Sequence, residues 1–547
     1  MVMGMLKNGT PIGLCGISLL RFLRWFAYFL VVAASFFWTS HCGNLGIMPL
    51  DQSMIFDGGW RILNGQVPFK DFIMAHSPFS MIVQALFFKL LGVSWFSYVF
   101  SAAFCASLIS ILSMRIIFLL YGKKSFLFQL ISGLLIGTSF QSLFGTLFFE
   151  QVAFLFFFLS LALLLEGIKQ VKYSFVFLAG FLSLVCLLSK QNVGILCIPA
   201  LCFLLCLHIP FNFSIICRRL FSFSCGVVCC FLLFLFWLIF YSNPYLFWEH
   251  AVVAALDTGV SRFKALAFFP PKLLAIISPT ATICHLLGIA ATLIGLPKFI
   301  GLLKNKKSGT GQLENYPILL FLPLVLVFVQ CLFAQNTLND GENMLFLSCF
   351  IFVSGTCFLY FYQRFFILQK IVILGVFAFI STFLFCEIWF FSTHRTVHDF
   401  FERGKVGRLI NVDRLSGLRW MPYGPAVKYP IWSKSSPDDI EQLVVFLRSE
   451  KQPFFILGDS TYLYGVCGYV STNPILYFVE GHFIRPRKKE VCDLWLLESL
   501  QSSNISFVVR EKAMFLGDFF PKTEQWIVSN FSNEKQFGNF FVLKKRR

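Results

Sequence analysis

Long apolar runs, nearly free of charge, recur along the first 391 residues and are separated by short polar stretches. A membrane-crossing helix needs about 20 apolar residues, within a range of roughly 17–25, and that window predicts about eleven spans here. They fall at Trp25–Thr39, Val93–Leu120, Phe126–Leu143, Gln151–Leu165, Phe175–Leu188, Val193–Leu207 and Leu220–Phe240. Four more follow at Leu273–Leu296, Ile318–Phe333, Met344–Phe361 and Ile371–Phe391. After Phe391 the pattern becomes mixed and charged. Ser436-Pro437-Asp438-Asp439 predicts a helix start, with a capping hydroxyl, Pro in the first turn and early acids. Ile440, Leu443, Val444 and Leu447 then repeat at helical spacing. Phe454–Leu457, Ile505–Val509 and Phe540–Leu543 read as buried strands, and strands alternating with helices predict a compact α/β domain. The expected organisation is a membrane-embedded helical domain over 1–391, with its first outer loop at 41–92, followed by an extracytoplasmic α/β domain over 392–547.

The charges between the runs alternate. One set of loops holds Arg21 and Arg24, Lys123 and Lys124, Lys169 and Lys172, Arg218 and Arg219, Lys298, Lys304, Lys306 and Lys307, Arg364 and Lys370. The other holds most of the acids: Asp51, Asp57, Asp71, Glu150, Glu249, Asp257, Asp340 and Glu342. By the positive-inside rule the N-terminus is expected in the cytoplasm, with the acidic loops and the C-terminal domain outside. This placement also disposes of nucleic acid as a partner: the net charge of +18 is spread over short loop clusters rather than gathered on a face. Composition agrees with a membrane protein, since 57% of residues are hydrophobic and 13% charged, against about 45–50% and about 25% in soluble domains. Most of the 18 cysteines lie inside apolar runs, where a thiol acts as a small hydrophobe. Cys42, Cys467 and Cys492 lie on the expected outer side, and a Cys467–Cys492 disulfide is one pairing open to them.

The most informative stretch lies between the first two spans. It runs from Asp51-Gln52 through Asp57-Gly58-Gly59-Trp60 to Leu63-Asn64-Gly65-Gln66-Val67-Pro68-Phe69-Lys70-Asp71-Phe72, with His76-Ser77-Pro78 before an apolar amphipathic segment. As chemistry, it is a polar loop against the membrane with three carboxylates close in sequence. A solvated interhelical loop is its plain alternative. The stretch resembles the first loop of the GT-C glycosyltransferases, in the branch of the protein O-mannosyltransferases and aminoarabinose transferases. Members commonly carry an acid after the first span, then Leu-x-x-Gly-x-x-Pro-aromatic-x-Asp-Phe and His-x-Pro. Where many members pair the first acid with Glu, Gln52 follows Asp51, leaving open whether Asp51 acts alone or with Asp57.

The resemblance implies transfer of a sugar, with inversion, from a polyprenyl phosphate carrier to a glycan, lipid or protein acceptor at the outer face of a bacterial inner membrane. Asp51 is then the expected base for an acceptor hydroxyl, and Glu150, at the place of the family's second acid, assists or orients the acceptor. Asp57, Lys70, Asp71 and His76 are expected to line the substrate site. The leaving phosphate needs cations, for which Lys190, Arg262 and Lys264 are candidates, although interfacial Lys and Arg also bind ordinary headgroups. No cofactor is expected. Asp51, Asp57 and Asp71 offer hard oxygen ligands for a divalent metal, but their spacing matches no calcium loop. The competing function is a transporter or flippase. Such proteins gather polar residues near the bilayer midplane, whereas the acids here collect at one face, Glu387 in the last predicted span being an exception.

Overall fold

The computed structural model describes residues 14–47, 49–122, 125–139, 145–206, 212–254, 256, 407–420, 435–476, 489–511 and 520–546. Its first half is a bundle of apolar helices: α1 (Leu14–Gly43), α4 (Trp95–Tyr121), α5 (Phe126–Ser139), α6 (Phe149–Gln170), α7 (Tyr173–Ser189), α8 (Gln191–Cys206) and α9 (Phe213–Tyr241). These helices take up the first seven predicted spans, while the last four predicted spans lie outside the described residues. Four of the helices, α1, α4, α6 and α9, are long and apolar enough to cross a membrane. The protein is a multi-pass, predominantly helical membrane protein with a small α/β portion at its C-terminus.

Helix contact in the bundle depends on missing side chains. Gly180 of α7 lies against the backbone carbonyl of Phe223, and Gly226 of α9 lies against that of Phe177, so a Cβ at either glycine would strike main chain. Small residues of this kind let membrane helices approach closely. Gly180→Leu is expected to destabilise the α7–α9 contact by about 1–3 kcal/mol through overpacking. A lowered unfolding temperature in detergent checks this, and an unchanged one would show that the contact is dispensable.

Two shorter helices, α2 (Pro49–Leu63) and α3 (Phe79–Leu91), occupy the stretch between α1 and α4. The sequence suggests a polar loop here. Instead, Gln52, Ser53, Asp57 and Arg61 are all buried in α2. The cause is an apolar floor: Phe56 packs edge-on against Phe88 of α3 and Tyr98 of α4, and Gly58 and Gly59 leave room for Met81 and Gln84.

The C-terminal portion forms the roof. A four-stranded sheet is built from β3 (Phe454–Leu457), β4 (Phe507–Glu511), β5 (Phe531–Phe537) and β6 (Phe540–Lys545), in the order β3-β4-β6-β5. The β3–β4 pair is parallel and the remaining pairs antiparallel. The short strands β1 (Arg408–Leu409) and β2 (Arg419–Trp420) pair separately. Helix α11 (Pro437–Glu450) starts at the expected cap, Ser436, whose bond to Asp439 is returned as a full capping box, and it buries Ile440, Leu443, Val444 and Leu447. α12 (Tyr462–Cys467), α13 (Lys489–Ser502) and α14 (Pro521–Asn530) complete the portion. Cys467 is a free thiol, so the Cys467–Cys492 disulfide that sequence left open is not formed.

Roof and floor are stitched by hydrogen bonds onto successive carbonyls of one segment. Trp60 Nε1 donates to Tyr469 O (2.7 Å), Gln66 Nε2 to Ser471 O (2.7 Å), Arg61 Nη1 to Asn473 O (2.6 Å) and the Ile73 amide to Pro474 O (2.8 Å). A single apolar core runs through both, joining Phe56, Phe72 and Trp95 to Leu443, Ile456 and Tyr464. Bonds from side chain to backbone carbonyl need the approach of one chain segment but no particular side chain on it. Segment 469–475 can thus clamp α2 without any recognisable motif.

Candidate functional site

One end of the bundle gathers residues from widely separated parts of the chain. Glu150 lies in the first turn of α6, and Lys190 is the single residue between α7 and α8. The Lys190 ammonium forms an ion pair with Glu150 Oε1, and both side chains keep partial exposure, 12% for Lys190 and 19% for Glu150. The other Glu150 oxygen, Oε2, is enclosed and accepts no hydrogen bond. The α7–α8 break leaves Lys190 in extended conformation (φ −148°, ψ 119°).

His76 joins this pair from the loop between α2 and α3. Its ring lies 4.4 Å, centre to centre, from that of Phe149, the neighbour of Glu150. Its Nδ1 is 3.4 Å from Oε1 of Gln191, the neighbour of Lys190. Gln191 in turn donates through Nε2 to Ala251 O at 3.0 Å and approaches Ala75 O at 3.5 Å. Ala251 belongs to a π-helical turn, Trp248–Val253, that continues the short helix α10 (Pro244–Phe247). Such turns are frequent at functional sites. His250, in the same turn, is buried with its ring 6.2 Å from that of Trp495 in α13. The C-terminal portion therefore reaches this end of the bundle as well.

Asp51 lies in the first turn of α2. The next residue, Gln52, donates through Nε2 to Thr146 Oγ1 at 3.1 Å, and Tyr98 OH donates to both Gln52 O and Leu147 O at 3.1 Å. These bonds hold the start of α2 beside the segment that leads into Glu150. They also give Gln52 a use: a neutral amide suits its buried place against Thr146.

Asp57 and Arg61 form a second ion pair, at 2.8 Å and fully enclosed. The guanidinium lies between the rings of Phe72 (5.2 Å) and Tyr464 (5.9 Å). Burial pushes the Asp57 carboxyl up to about 6, and Arg61 pulls it back less strongly. At the end of β4, burial also raises Glu511, opposed by N–H bonds from Asp459 (3.1 Å) and Ser460 (3.0 Å). A carboxyl raised from 3.8 to about 6 on folding stabilises the fold fully below the lower value, and that contribution is lost as pH rises through about 6. The difference between these limits is on the order of 3 kcal/mol. The unfolding temperature of the wild type, relative to Asp57→Asn, is therefore expected to fall between about pH 4 and pH 7. Parallel curves would remove Asp57 as the titrating group.

The remaining sequence candidates are dispersed. Asp71 Oδ2 accepts from the Val67 amide at 2.6 Å and closes its own turn. Lys70 is exposed beside it. Arg262 and Lys264 lie outside the described residues. Among the described residues, no three His, Cys, Asp or Glu side chains converge in a way that could hold a metal ion. Arg61 and Gln191 were not singled out from sequence. The i, i+4 spacing of Asp57 and Arg61 on a helix could have indicated their pairing, whereas nothing local marks Gln191.

No family model matches the chain, and no curated protein matches it by sequence. By structure it is similar to the crystal structure of ArnT from Cupriavidus metallidurans in the apo state, with a TM-score of 0.42 and 11% identity over 95% of this chain and 97% of that one. It is also similar to the arabinofuranosyltransferase AftD from Mycobacteria, with a TM-score of 0.49 and 12% identity over 96% of this chain and 40% of that one.

Proposed function

We propose that this protein is a membrane glycosyltransferase that moves a sugar from a polyprenyl phosphate carrier to an acceptor hydroxyl. The observation that supports this best is the meeting of His76, Glu150 and Lys190 at the bundle end where α2 begins. His76 belongs to the loop motif, Glu150 stands at the place of the second acid, and Lys190 is a cation suited to a phosphate. In the proposed reaction the acceptor oxygen attacks the anomeric carbon, the bond from that carbon to the phosphate oxygen breaks, and the stereochemistry inverts. Asp51 takes the acceptor proton. Lys190 faces the phosphate as it gains charge, and Glu150 orients the acceptor. His76, with a ring nitrogen beside Gln191, borders the sugar site.

The site lies at the outer face of a bacterial cell membrane in this reading, which is supported by two acid-bearing segments among the described residues, the start of α2 and the start of α6, lying side by side there. Consistent with that polarity, Arg115 and Glu166 pair at 2.7 Å on the distal halves of α4 and α6, with Lys169 beside Phe118. We assign the C-terminal domain, 392–547, to holding the acceptor or capping the mouth of the site, a role supported by Trp495 lying beside His250.

Native mass spectrometry of the mildly solubilised protein tests the reading without a guess about the sugar. A co-purified polyprenyl phosphate, with or without a sugar-sized addition, is the expected result. Bulk phospholipid alone across several preparations would overturn it.

A further inference from the structure

The two ion pairs described above differ in one respect. Asp57–Arg61 is sealed, whereas Glu150–Lys190 is open to a ligand, because both partners keep surface. Lys190 is the one residue between α7 and α8, and one oxygen of Glu150 is enclosed without a hydrogen bond. A carboxylate that uses one oxygen on a cation and leaves the other unsatisfied is held less firmly than one with both oxygens engaged.

We propose that Glu150 occupies, in the resting protein, the position on Lys190 that the carrier phosphate takes, so that donor binding exchanges carboxylate for phosphate and frees Glu150 for the acceptor. This rests on the reading of Lys190 as the cation of the phosphate site. The chemistry gives the exchange a direction. A sugar-linked carrier phosphate is a diester with one negative charge. The phosphate released when the anomeric C–O bond breaks is a monoester carrying about −1.5 to −2 at neutral pH. Attraction to Lys190 therefore grows along the reaction, while a carboxylate stays at a single charge and competes less well at each stage. Release of Glu150 couples the two substrates: its oxygens become available to an acceptor hydroxyl once the donor is seated. Binding is then ordered, donor before acceptor, and a carrier with no phosphate leaves the resting pair intact.

The test is a titration of the detergent-solubilised full chain with a polyprenyl phosphate, read by native mass spectrometry, with the matching polyprenol as blank. Wild type is expected to prefer the phosphate. Glu150→Gln, nearly isosteric but uncharged, is expected to bind it about five-fold tighter or more, since a competing charge of ordinary ion-pair strength is gone. Lys190→Gln is expected to lose the preference, and the double variant to behave like Lys190→Gln. Lys190→Arg keeps the charge and is expected to keep both the preference and the response to Glu150→Gln. This keeps the test decisive if Lys190→Gln fails to fold. Unchanged or weaker binding in Glu150→Gln, with the preference still dependent on Lys190, would overturn the exchange and leave the transferase reading standing. A preference that survives in Lys190→Gln would overturn the exchange at its premise. No preference in the wild type would sink both the exchange and the transferase reading.

Discussion

Arg61→Met is expected to destabilise the protein by about 3–5 kcal/mol, because it leaves the Asp57 carboxylate enclosed without a cation. Arg61 has three roles at once: it neutralises Asp57, donates to Asn473 O at 2.6 Å, and fills the space between Phe72 and Tyr464. Methionine retains much of the volume and none of the charge. The deficit is expected to be larger at pH 8 than at pH 5. Without Arg61 the already raised Asp57 carboxyl moves higher still, and at low pH a proton supplies the neutralisation that Arg61 gave. Asp57→Leu with Arg61→Met is expected to recover most of the loss, since an apolar pair removes the buried charge altogether. Thermal unfolding of the three variants in detergent decides the matter. A double variant no better than Arg61→Met would place the value of Arg61 in its bond to Asn473 rather than in its pairing with Asp57.

Asp51→Asn is expected to lower sugar transfer by about 10²–10⁴-fold, the usual worth of a positioned general base. Asparagine keeps the shape of the side chain but cannot accept the proton of an attacking hydroxyl. Unfolding temperature and polyprenyl phosphate binding are expected to stay at wild-type values, since carrier recognition is assigned to Lys190. The measurement is single-turnover transfer with the donor identified from co-purified lipid. Full activity would remove Asp51 from the mechanism. It would also fit an acceptor that is itself a phosphate, which needs no base. The pH profile separates these cases, because a carboxylate base loses activity as acid protonates it and a phosphate acceptor shifts the profile to its own ionisation.

Where sequence and structure diverge, the cause is the range over which the relevant forces act. β5 was not expected, because Ser532-Asn533-Glu534-Lys535-Gln536 has no apolar alternation. It is an edge strand whose inner five residues are exposed, held by pairing with β6 and by its two buried ends, Phe531 against Trp526 and Phe537 against Phe446. α2 appeared as a polar loop because its acids and Arg61 look solvated in isolation. Their burial depends on Phe88, Trp95 and Tyr98 below and on segment 469–475 above.

The sequence by itself determined the features that depend on near neighbours. Apolar run length placed α4 to α9, and the capping Ser436, Pro437 and the apolar stripe placed α11. A continuous apolar run marked β3. Each follows from hydropathy, caps or periodicity within a few turns of chain. The tertiary structure alone decided that Glu150 meets Lys190, that Gln191 links His76 to the turn after α9, and that Arg61 reaches Asn473, 412 residues away. Those partners are chosen by the packing of whole helices, and a side chain's local sequence carries no record of what the packing will bring against it.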